Sequence, residues 1–393
     1  MTEYVDIVVI GGGIHGVGVA QAAAAAGYSV LVLEKNTLAS GTSSRSSKLI
    51  HGGLRYLEHG EFTLVRECLR ERALLLKLAP DLVRLVPFYI PVYESGVRSP
   101  SKIRMGLSLY ALLGGLGKDA RFSQLPRQVW NQLDGLTSHG LKAVFSYYDA
   151  QTDDAALTRA VMKSAGTLGA RLHAPACFES ATLTAEGVEV EYREGGVSQS
   201  CRARIMVNAA GPWANQVLEK VEPRQSLLNV ALVQGTHVIV DGELNQGIYY
   251  LEAPQDQRAV FVMPWQGRIM VGTTETHYSG SPDRVEPLPE EEAYLFRVLC
   301  HYFPGYRGQV DISDAFAGLR VLPGGGGEAF SKPRETCLHL DRDRRPRLLT
   351  IYGGKLTAYR ITAQKVLHQL RSSLPLRTAR ADTRQLVLPP AES

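Results

Sequence analysis

Two apolar runs separated by a glycine-rich turn open the chain. Residues 6–10 are apolar and mostly β-branched, and residues 29–33 repeat that character, so both segments predict buried strands. The alanine-rich segment between them predicts a helix that runs from the glycine turn to about Ala26, where Gly27 ends it. Strand, glycine turn, helix and strand in this order predict the first βαβ unit of a dinucleotide-binding sheet.

The glycine turn has the spacing Gly-x-Gly-x-x-Gly at Gly11, Gly13 and Gly16. Glycines at these positions let backbone N–H groups approach a pyrophosphate at the start of a helix, where the helix dipole favours an anion. Glu34 follows the second strand, at the place where an acid hydrogen-bonds the ribose hydroxyls. These four residues therefore predict a dinucleotide site, and the motif alone leaves NAD and FAD open.

Further along the chain, the apolar residues alternate between helical and strand spacing. Residues 62–78 place leucines at helical spacing between Arg and Glu residues, which predicts an amphipathic helix. Asp153 or Asp154 is positioned to cap a second helix that runs to about Leu168. Short apolar runs bounded by turn residues predict strands at 169–174, 188–192, 203–208, 233–240, 259–263, 269–271 and 348–352.

These elements predict an α/β fold, in an α+β arrangement of two domains. A chain of 393 residues exceeds a single hydrophobic core. The strands between 233 and 271 follow one another without helices, which predicts a largely antiparallel sheet beside the Rossmann-like domain. We assign 1–85, 146–228 and 324–375 to the Rossmann-like domain, 86–145 and 229–323 to the sheet domain that binds the substrate, and 376–393 to a loosely ordered tail.

Composition narrows the class of protein. Lys and Arg number 43 against 39 Asp and Glu, so the net charge of +4 argues against a nucleic-acid partner held by bulk electrostatics. The five cysteines are scattered without a CxxC pair, which predicts a reducing, cytoplasmic compartment and no zinc site. No basic segment precedes the first strand, so we expect no signal peptide.

Residues 105–117 are uncharged and apolar, but they are too short for a membrane span of about 20 residues. This length predicts a buried helix. The alternative is a surface that docks on a membrane, which would make the protein peripheral at the inner face.

The stretch from Thr42 to Glu58 combines hydroxyl groups, a Gly-Gly pair and cations in a pattern that a plain surface loop does not need. Its first half, 42–48, carries hydroxyls and Lys48, which suit a pyrophosphate and the polar atoms of a cofactor. Its second half continues through Gly52-Gly53, where the backbone can pass close to a ring system, to Arg55 and Tyr56. Because Arg binds anionic groups in a planar fork, the second half predicts that the segment turns from the cofactor to meet a substrate.

Together these segments resemble the FAD-dependent glycerol-3-phosphate dehydrogenases, within the wider group of glycine and D-amino-acid oxidase-like flavoproteins. The resemblance covers most of the chain, and its most specific parts are residues 46–58 and 353–357. It is also carried by the glycine turn and by the segments 148–154, 211–213, 235–237, 272–274 and 318–320. It implies FAD as the cofactor and transfer of a hydride from C2 of sn-glycerol 3-phosphate to flavin N5, with electrons passed on to a quinone-type acceptor.

The resemblance also implies roles for individual residues. His237, Arg320 and Arg55 are implied as catalytic residues, His237 being nearest the reacting hydroxyl. Substrate contacts are implied at Arg55, Tyr56, Thr274, Arg320 and Lys355. Beside Gly11, Gly13, Gly16 and Glu34, FAD contacts are expected at Thr42, Ser43, Ser47, Lys48, His51, Gly211, Trp213, Gly354, Lys355, Leu356 and Thr357.

Each of these roles has an alternative that the sequence leaves open. Arg55 could be a surface ion-pair partner, Arg320 an interdomain salt bridge and His237 a core histidine. Lys355 could neutralise flavin charge alone. At the level of function, the alternatives are an oxidase of another hydroxy or amino acid and a flavin-binding redox sensor or partner subunit.

The chain also departs from the family pattern. Gln234 stands where a basic residue is common, Glu275 replaces an Asp, and a glycine tract occupies 324–327. Family members commonly continue into a C-terminal helical domain. These departures bear on the electron acceptor, the oligomeric state and the exact substrate rather than on the flavin site.

Overall fold

The computed structural model describes residues 3–308, 310–324 and 336–390. Its helices are α1 (Ile14–Ala25), α2 (Phe62–Leu78), α3 (Pro100–Leu113), α4 (Asp154–Thr167), α5 (Ala214–Leu218), α6 (Pro289–Tyr302) and α7 (Tyr359–Leu370). Short 3-10 turns occupy Thr42–Ser44, Leu54–His59, Lys118–Ala120, Arg127–Gln132, Gly211–Trp213, Pro282–Arg284, Pro304–Tyr306 and Leu356–Ala358.

The strands form two sheets. In chain order they are β1 (Glu3–Ile10), β2 (Val30–Leu33), β3 (Leu49–Ile50), β4 (Val83–Tyr93), β5 (Ser123–Gln124), β6 (Leu141–Thr152), β7 (Arg171–His173), β8 (Ala176–Leu183), β9 (Val188–Glu194) and β10 (Val197–Asn208). They continue with β11 (Val221–Glu222), β12 (Val230–Val240), β13 (Ile248–Glu252), β14 (Ala259–Trp265), β15 (Arg268–Gly272), β16 (Thr276–Tyr278), β17 (Ile312–Pro323), β18 (Cys337–Leu340) and β19 (Leu348–Tyr352).

The first sheet has nine described strands in the order β11-β8-β9-β10-β1-β2-β7, with β19 beside β10 and β18 beside β19. Strands β10, β1, β2 and β7 run parallel, as the βαβ pattern predicted. Helices α1, α4 and α7 pack in one apolar cluster with these strands. A second cluster, built from β8, β9 and β10, covers the opposite face. The predicted Rossmann-like domain is confirmed.

The second sheet has ten described strands and is largely antiparallel, as predicted, with one parallel pair between β13 and β4. It takes in β4 from Val83 and β6 to Thr152, a few residues beyond the proposed boundaries at 86 and 145. The short strand β3 also pairs with β6. The chain therefore enters this sheet directly from the hydroxyl-rich loop at 42–48.

Helix α3 corrects the prediction of a buried helix over 105–117. It begins at Pro100, where Ser99 caps it, and it ends at Leu113. Ile103, Leu107 and Tyr110 are buried, whereas Met105, Leu112 and Leu116 are 69%, 60% and 62% exposed. The apolar run thus splits into a face that packs and a face that meets solvent. Among the described helices, none is long and apolar enough to cross a membrane.

The predicted loosely ordered tail has no helix or strand in its described part, 376–390, but it makes specific contacts. Thr383 is buried and its hydroxyl accepts hydrogen bonds from Arg360 and Gln364. Leu388 is buried and its backbone N–H bonds to the carbonyl of Leu78. These contacts tie the tail to α7 and α2, which its weak apolar periodicity did not indicate.

Candidate functional site

A cavity of about 690 Å³ is lined by residues of both sheets. Most of the predicted cofactor contacts line it: Gly11, Gly13, Glu34, Thr42, Ser43, Ser47, His51, Gly211, Trp213, Gly354, Lys355, Leu356 and Thr357. The predicted catalytic and substrate residues Arg55, Tyr56, His237, Arg320 and Lys355 line the same cavity. Gly16, Lys48 and Thr274 do not line it.

One end of the cavity is built from the carboxyl ends of β1 and β2. Both oxygens of Glu34 accept backbone N–H groups, Oε2 from Gly12 at 2.7 Å and Oε1 from Asn36 at 2.8 Å. A carboxylate offers about four lone-pair sites, so these two bonds orient Glu34 and leave acceptors for a diol. The first N–H of α1, on Ile14, donates to Ser43 Oγ at 2.9 Å. Gly16 is buried behind this turn, against the carbonyl of Gly11.

Asp154 organises the loop at 42–48. Its Oδ2 accepts the backbone N–H of Ser46 at 3.0 Å and the Ser46 hydroxyl at 2.6 Å, and its Oδ1 accepts the ammonium of Lys48 at 2.7 Å. Burial raises the pKa of Asp154, and the Lys48 charge opposes that shift. The prediction that Lys48 binds the cofactor is therefore corrected: its ammonium is buried against Asp154 and the carbonyl of Ser44.

Asp153, the neighbouring residue, caps α4 as predicted, because its Oδ1 accepts the N–H of Ala156 at 2.8 Å. Sequence reasoning assigned capping to both aspartates by default. The structure separates them into a cap and a loop anchor.

His237 lies on β12 with its ring in the cavity wall and is 2% exposed. Its Nε2 is 2.9 Å from Ser47 Oγ, and its ring stacks on Phe316 with centroids 4.9 Å apart. Nδ1 is buried and has no hydrogen-bond partner among the described residues. Burial lowers the pKa of His237 to about 3, helped by the charges of Arg320 and Lys48, so the ring is neutral at pH 7.

Arg320, on β17, binds the loop that joins β15 to β16. Its Nη1 donates to the Glu275 carboxylate at 2.6 Å, and its Nη2 donates to Thr273 Oγ1 at 3.3 Å and to the carbonyl of Thr274 at 3.2 Å. Both strands flanking this loop belong to the second sheet. This ion pair therefore lies within one sheet rather than between domains.

Lys355 places its ammonium in the cavity wall over the ring of Tyr56, 3.4 Å from the centroid. The Nζ atom is buried and has no hydrogen-bond partner in the part of the chain that the structure describes. Arg55 also lines the cavity, and its charge acts on the buried phenol of nearby Tyr250. An ammonium without a counter-ion at a cavity wall is suited to an anionic ligand.

The turn at Gly354, before α7, packs against the glycine turn at the start of α1. Gly354 has φ +110°, and a Cβ atom added there would overlap the imidazole of His15. Desolvation lowers the pKa of His15 to about 4, and its Nδ1 is buried and has no partner among the described residues. Nearby, the backbone N–H of His51 donates to Thr357 Oγ1 at 3.1 Å. These contacts place the start of α7 beside the start of α1.

Thr274, predicted to contact substrate, instead turns into the protein. Its hydroxyl donates to Glu291 Oε1 at 2.8 Å and accepts the N–H of Thr236 at 2.9 Å. Its neighbours Thr273 and Glu275 line the cavity, as does Arg258, whose Nη1 donates to the carbonyl of Glu275 at 3.0 Å. The Gly-Thr-Thr motif indicated this loop but not which hydroxyl faces the cavity.

Trp213 and two residues that sequence reasoning missed meet at another part of the cavity wall. The indole Nε1 of Trp213 donates to Asp283 at 3.1 Å, and the Lys35 ammonium lies 3.8 Å from the ring centroid. Lys35 also bonds Asp283 at 2.5 Å. Lys35 directly follows Glu34, the predicted ribose ligand, and this position could have indicated that Lys35 lies at the cavity.

The cavity fits FAD in its donor set. It presents a carboxylate and a helix N-terminus at the Rossmann end, which suit ribose and pyrophosphate. It also presents two buried nitrogens without partners among the described residues, His15 Nδ1 and Lys355 Nζ, at the end formed by α7. Gly11, Gly13, Glu34 and the start of α7 would hold the cofactor.

Comparisons with known proteins agree with this geometry. Residues 6–360 match the family described as FAD dependent oxidoreductase. The chain is 40% identical to glycerol-3-phosphate dehydrogenase of Pseudomonas aeruginosa, over 94% of this chain and 72% of that protein. It is 38% identical to D-erythritol 1-phosphate dehydrogenase of Brucella abortus, over 95% of this chain and 75% of that protein.

Superposition on solved structures supports the fold. The structure of glycerol-3-phosphate dehydrogenase from Bacillus halodurans complexed with FAD superposes with a TM-score of 0.76 at 27% identity, covering 98% of this chain and 68% of that one. Glycine oxidase from Geobacillus kaustophilus superposes with a TM-score of 0.72 at 19% identity, covering all of both chains. The second likeness concerns the fold alone.

The turn at Gly354 gives a prediction about cofactor binding. Gly354→Ala should lower the affinity for FAD by about tenfold or more, equivalent to about 1.4 kcal/mol, because the new methyl group displaces His15. Gly196→Ala is the matched control, since Gly196 has φ +81° but open space around it. Fluorescence titration of the apoproteins with FAD measures both affinities. Equal affinities in the two variants would contradict the proposed packing of His15.

His15 and His237 give a prediction about acid stability. Their folded pKa values of about 4 and about 3 lie below the ordinary 6.5, so between these limits the unfolded chain binds protons that the folded protein does not. Stability is therefore complete above pH 6.5 and is lost as pH falls. Between pH 7 and pH 5 each histidine should cost about 2 kcal/mol.

Denaturant unfolding at the two pH values measures this loss. His15→Asn and His237→Asn should each flatten the dependence of the unfolding free energy on pH. If the wild type and both variants lose the same stability on acidification, the rings are not buried in their neutral form.

Proposed function

The chain belongs to the FAD dependent oxidoreductase family, and on this premise we propose that it oxidises sn-glycerol 3-phosphate to dihydroxyacetone phosphate. The observation that carries the proposal is the buried Lys355 ammonium, without a hydrogen-bond partner among the described residues, in a cavity also lined by Arg55 and Arg320. Such a concentration of cations suits a phosphate dianion. Relatives named glycerol-3-phosphate dehydrogenase are 33–40% identical to the chain.

Bound FAD supplies the acceptor for the hydride that leaves C2 of the alcohol, which no side chain can do. We assign to His237 the removal of the hydroxyl proton. Its ring is neutral at pH 7, and the Ser47 contact at 2.9 Å fixes the orientation of the ring. Burial and the charges of Arg320 and Lys48 lower the proton affinity of the ring, so the proton transfer requires that substrate binding offset this effect.

We assign the substrate phosphate to Arg55, Arg320 and Lys355, with Tyr56 beneath the Lys355 ammonium. The Arg320 guanidinium is held by the 273–275 loop, so its position is set before substrate arrives. A preorganised cation costs less conformational entropy on binding than a mobile one. We assign FAD binding to the other predicted cofactor contacts. Lys48 is the exception, because its ammonium pairs with Asp154 and anchors the loop at 42–48.

A four-carbon polyol phosphate is the second candidate substrate, because the relative from Brucella abortus that acts on D-erythritol 1-phosphate is as similar as the glycerol-3-phosphate dehydrogenases. The two substrates share the phosphate and the neighbouring secondary alcohol, so they require the same cations. Comparison of kcat/KM for both decides between them. A hydroxy or amino acid would offer its carboxylate to the same cations, so its kcat/KM belongs in the same comparison.

We further propose that the electrons pass to a quinone-type acceptor and that the protein docks peripherally on the inner face of the membrane from the cytoplasm. The support is the solvent-facing side of α3, where Met105 and Leu112 are exposed, with Leu116 exposed just beyond the end of the helix. Met105 and Leu112 are two helical turns apart, and Lys102 and Arg104 flank Met105. An exposed apolar stripe edged by cations is suited to the surface of an anionic bilayer, in which quinones dissolve.

Arg320→Ala tests the phosphate assignment. The variant should raise KM for glycerol 3-phosphate by about tenfold to a hundredfold, because a charge-assisted hydrogen bond contributes about 1.5–3 kcal/mol. Steady-state assays with a dye acceptor give KM, and unphosphorylated glycerol should show no comparable change. Arg268→Ala is the control, because Arg268 is a half-buried residue of the same sheet that donates to Ser313. Equal losses for both substrates would remove Arg320 from the phosphate site.

The exposed face of α3 is tested by vesicle binding. Met105→Gln together with Leu112→Gln should weaken co-sedimentation with vesicles of anionic phospholipid by about a hundredfold, since burying each such side chain contributes about 1.5–3 kcal/mol. Leu376→Gln is the matched control because Leu376 is fully exposed on the tail. Failure of the wild type to bind vesicles would contradict the docking proposal and leave the oxidation unaffected.

A further inference from the structure

Three consecutive acids, Glu290, Glu291 and Glu292, occupy the first turn of α6, and they differ in surroundings. Glu290 is exposed and Glu292 is half-buried, whereas Glu291 is 4% exposed. An acid at a helix N-terminus is stabilised by the helix dipole, and all three share that benefit. The burial of Glu291 therefore needs a different explanation.

The Glu291 carboxylate accepts hydrogen bonds from four side chains on two separate segments. Oε2 accepts from Gln234 Nε2 at 2.7 Å and from Thr236 Oγ1 at 2.5 Å, both on β12. Oε1 accepts from Thr274 Oγ1 at 2.8 Å and from Thr276 Oγ1 at 2.6 Å, on the chain that follows β15. Burial favours a raised pKa for Glu291, but these four donors together hold the pKa below its usual value. The group is thus a buried carboxylate solvated by the protein.

Of the two segments joined by Glu291, one leads into His237 and the other binds Arg320 of β17. Thr236 directly precedes His237 on β12. Thr274 offers its carbonyl to Arg320 at 3.2 Å, and its N–H reaches the carbonyl of Thr236 at 3.3 Å. Glu291 itself does not line the cavity. It contacts the residues that hold His237 and Arg320, not the ligand.

Gln234 fits into this arrangement. A basic residue there would form an ion pair with Glu291, whereas Gln234 donates one neutral hydrogen bond and a second one to the carbonyl of Glu286. All four side-chain donors are neutral, so no counter-ion offsets the charge of the Glu291 carboxylate. Gln234, which stands where the family commonly has a basic residue, is thus one of the four donors that bind Glu291.

We propose that Glu291 is a positioning residue: it holds β12 beside His237 against the 273–275 loop that binds Arg320, and so sets the distance between the His237 ring and the Arg320 guanidinium. The proposal rests on the proposed function for the roles of His237 and Arg320. The geometric part, the effect of Glu291 on the His237 ring, is independent of the substrate. A carboxylate can serve all four donors, but an amide presents only one acceptor atom.

The test is Glu291→Gln in the FAD-loaded protein. Two controls accompany it: Glu290→Gln changes the same charge in the same helical turn, and Glu71→Gln removes another buried acid, one paired with Arg360 at 2.5 Å. Both Glu291→Gln and Glu71→Gln should lower the melting temperature. Glu291→Gln alone should also lower kcat/KM for glycerol 3-phosphate by about tenfold to a hundredfold, equivalent to about 1.4–2.7 kcal/mol.

A second readout does not depend on the substrate. Imidazole 15N signals of the histidine-labelled holoprotein, with His237 assigned through His237→Gln, should shift in Glu291→Gln and stay unchanged in Glu290→Gln and Glu71→Gln. If Glu291→Gln does not accumulate as folded holoprotein, Thr276→Val removes one donor at a half-buried position and should move the same signal by less.

An unshifted His237 signal, with kcat/KM no lower than in Glu71→Gln, would overturn the proposal and reduce Glu291 to a contribution to stability. Failure of glycerol 3-phosphate to reduce the wild type would instead refute the proposed function. In that case a shifted His237 signal still supports the positioning role.

Discussion

The Asp154 carboxylate is the constraint on which the arrangement of the cavity depends. It is 0% exposed, and it holds both the backbone and the hydroxyl of Ser46 and the ammonium of Lys48. Breaking a buried pair of this kind by removing one partner costs about 3–5 kcal/mol. The loop fixed in this way presents Ser47 to His237, and the next residues enter the second sheet as β3. One anchor therefore sets the position of a Rossmann-domain loop against the sheet that carries His237.

The parts of the fold that could be predicted from the sequence are those governed by local pattern. The first βαβ unit, the helix at 62–78 and the strand at 348–352 follow from apolar spacing and from the residues that end each element. Asp153 is a sequence-local cap, and its role was predictable for the same reason. The thirteen predicted cofactor contacts that line the cavity stand in short sequence motifs, many of which place a glycine or a hydroxyl beside the ligand.

The parts that could not be predicted depend on partners distant in sequence. Lys48 carries a charge suited to a pyrophosphate, but its counter-ion Asp154 lies 106 residues further along the chain. Thr274 stands in a motif that faces the ligand, yet a buried acid on α6 takes its hydroxyl. Helix α3 has apolar residues on two faces, and sequence alone does not say which face the core covers. In each case a contact between segments distant in sequence determines whether a side chain faces the cavity, the core or solvent.

The central claim is that the cations around Lys355 select a phosphorylated alcohol for oxidation by the bound flavin. The most direct measurement is the flavin absorbance of the purified holoprotein after anaerobic addition of sn-glycerol 3-phosphate. We predict bleaching of the flavin band with glycerol 3-phosphate and none with glycerol at the same concentration. Bleaching by an unphosphorylated hydroxy or amino acid, with glycerol 3-phosphate inactive, would contradict the claim.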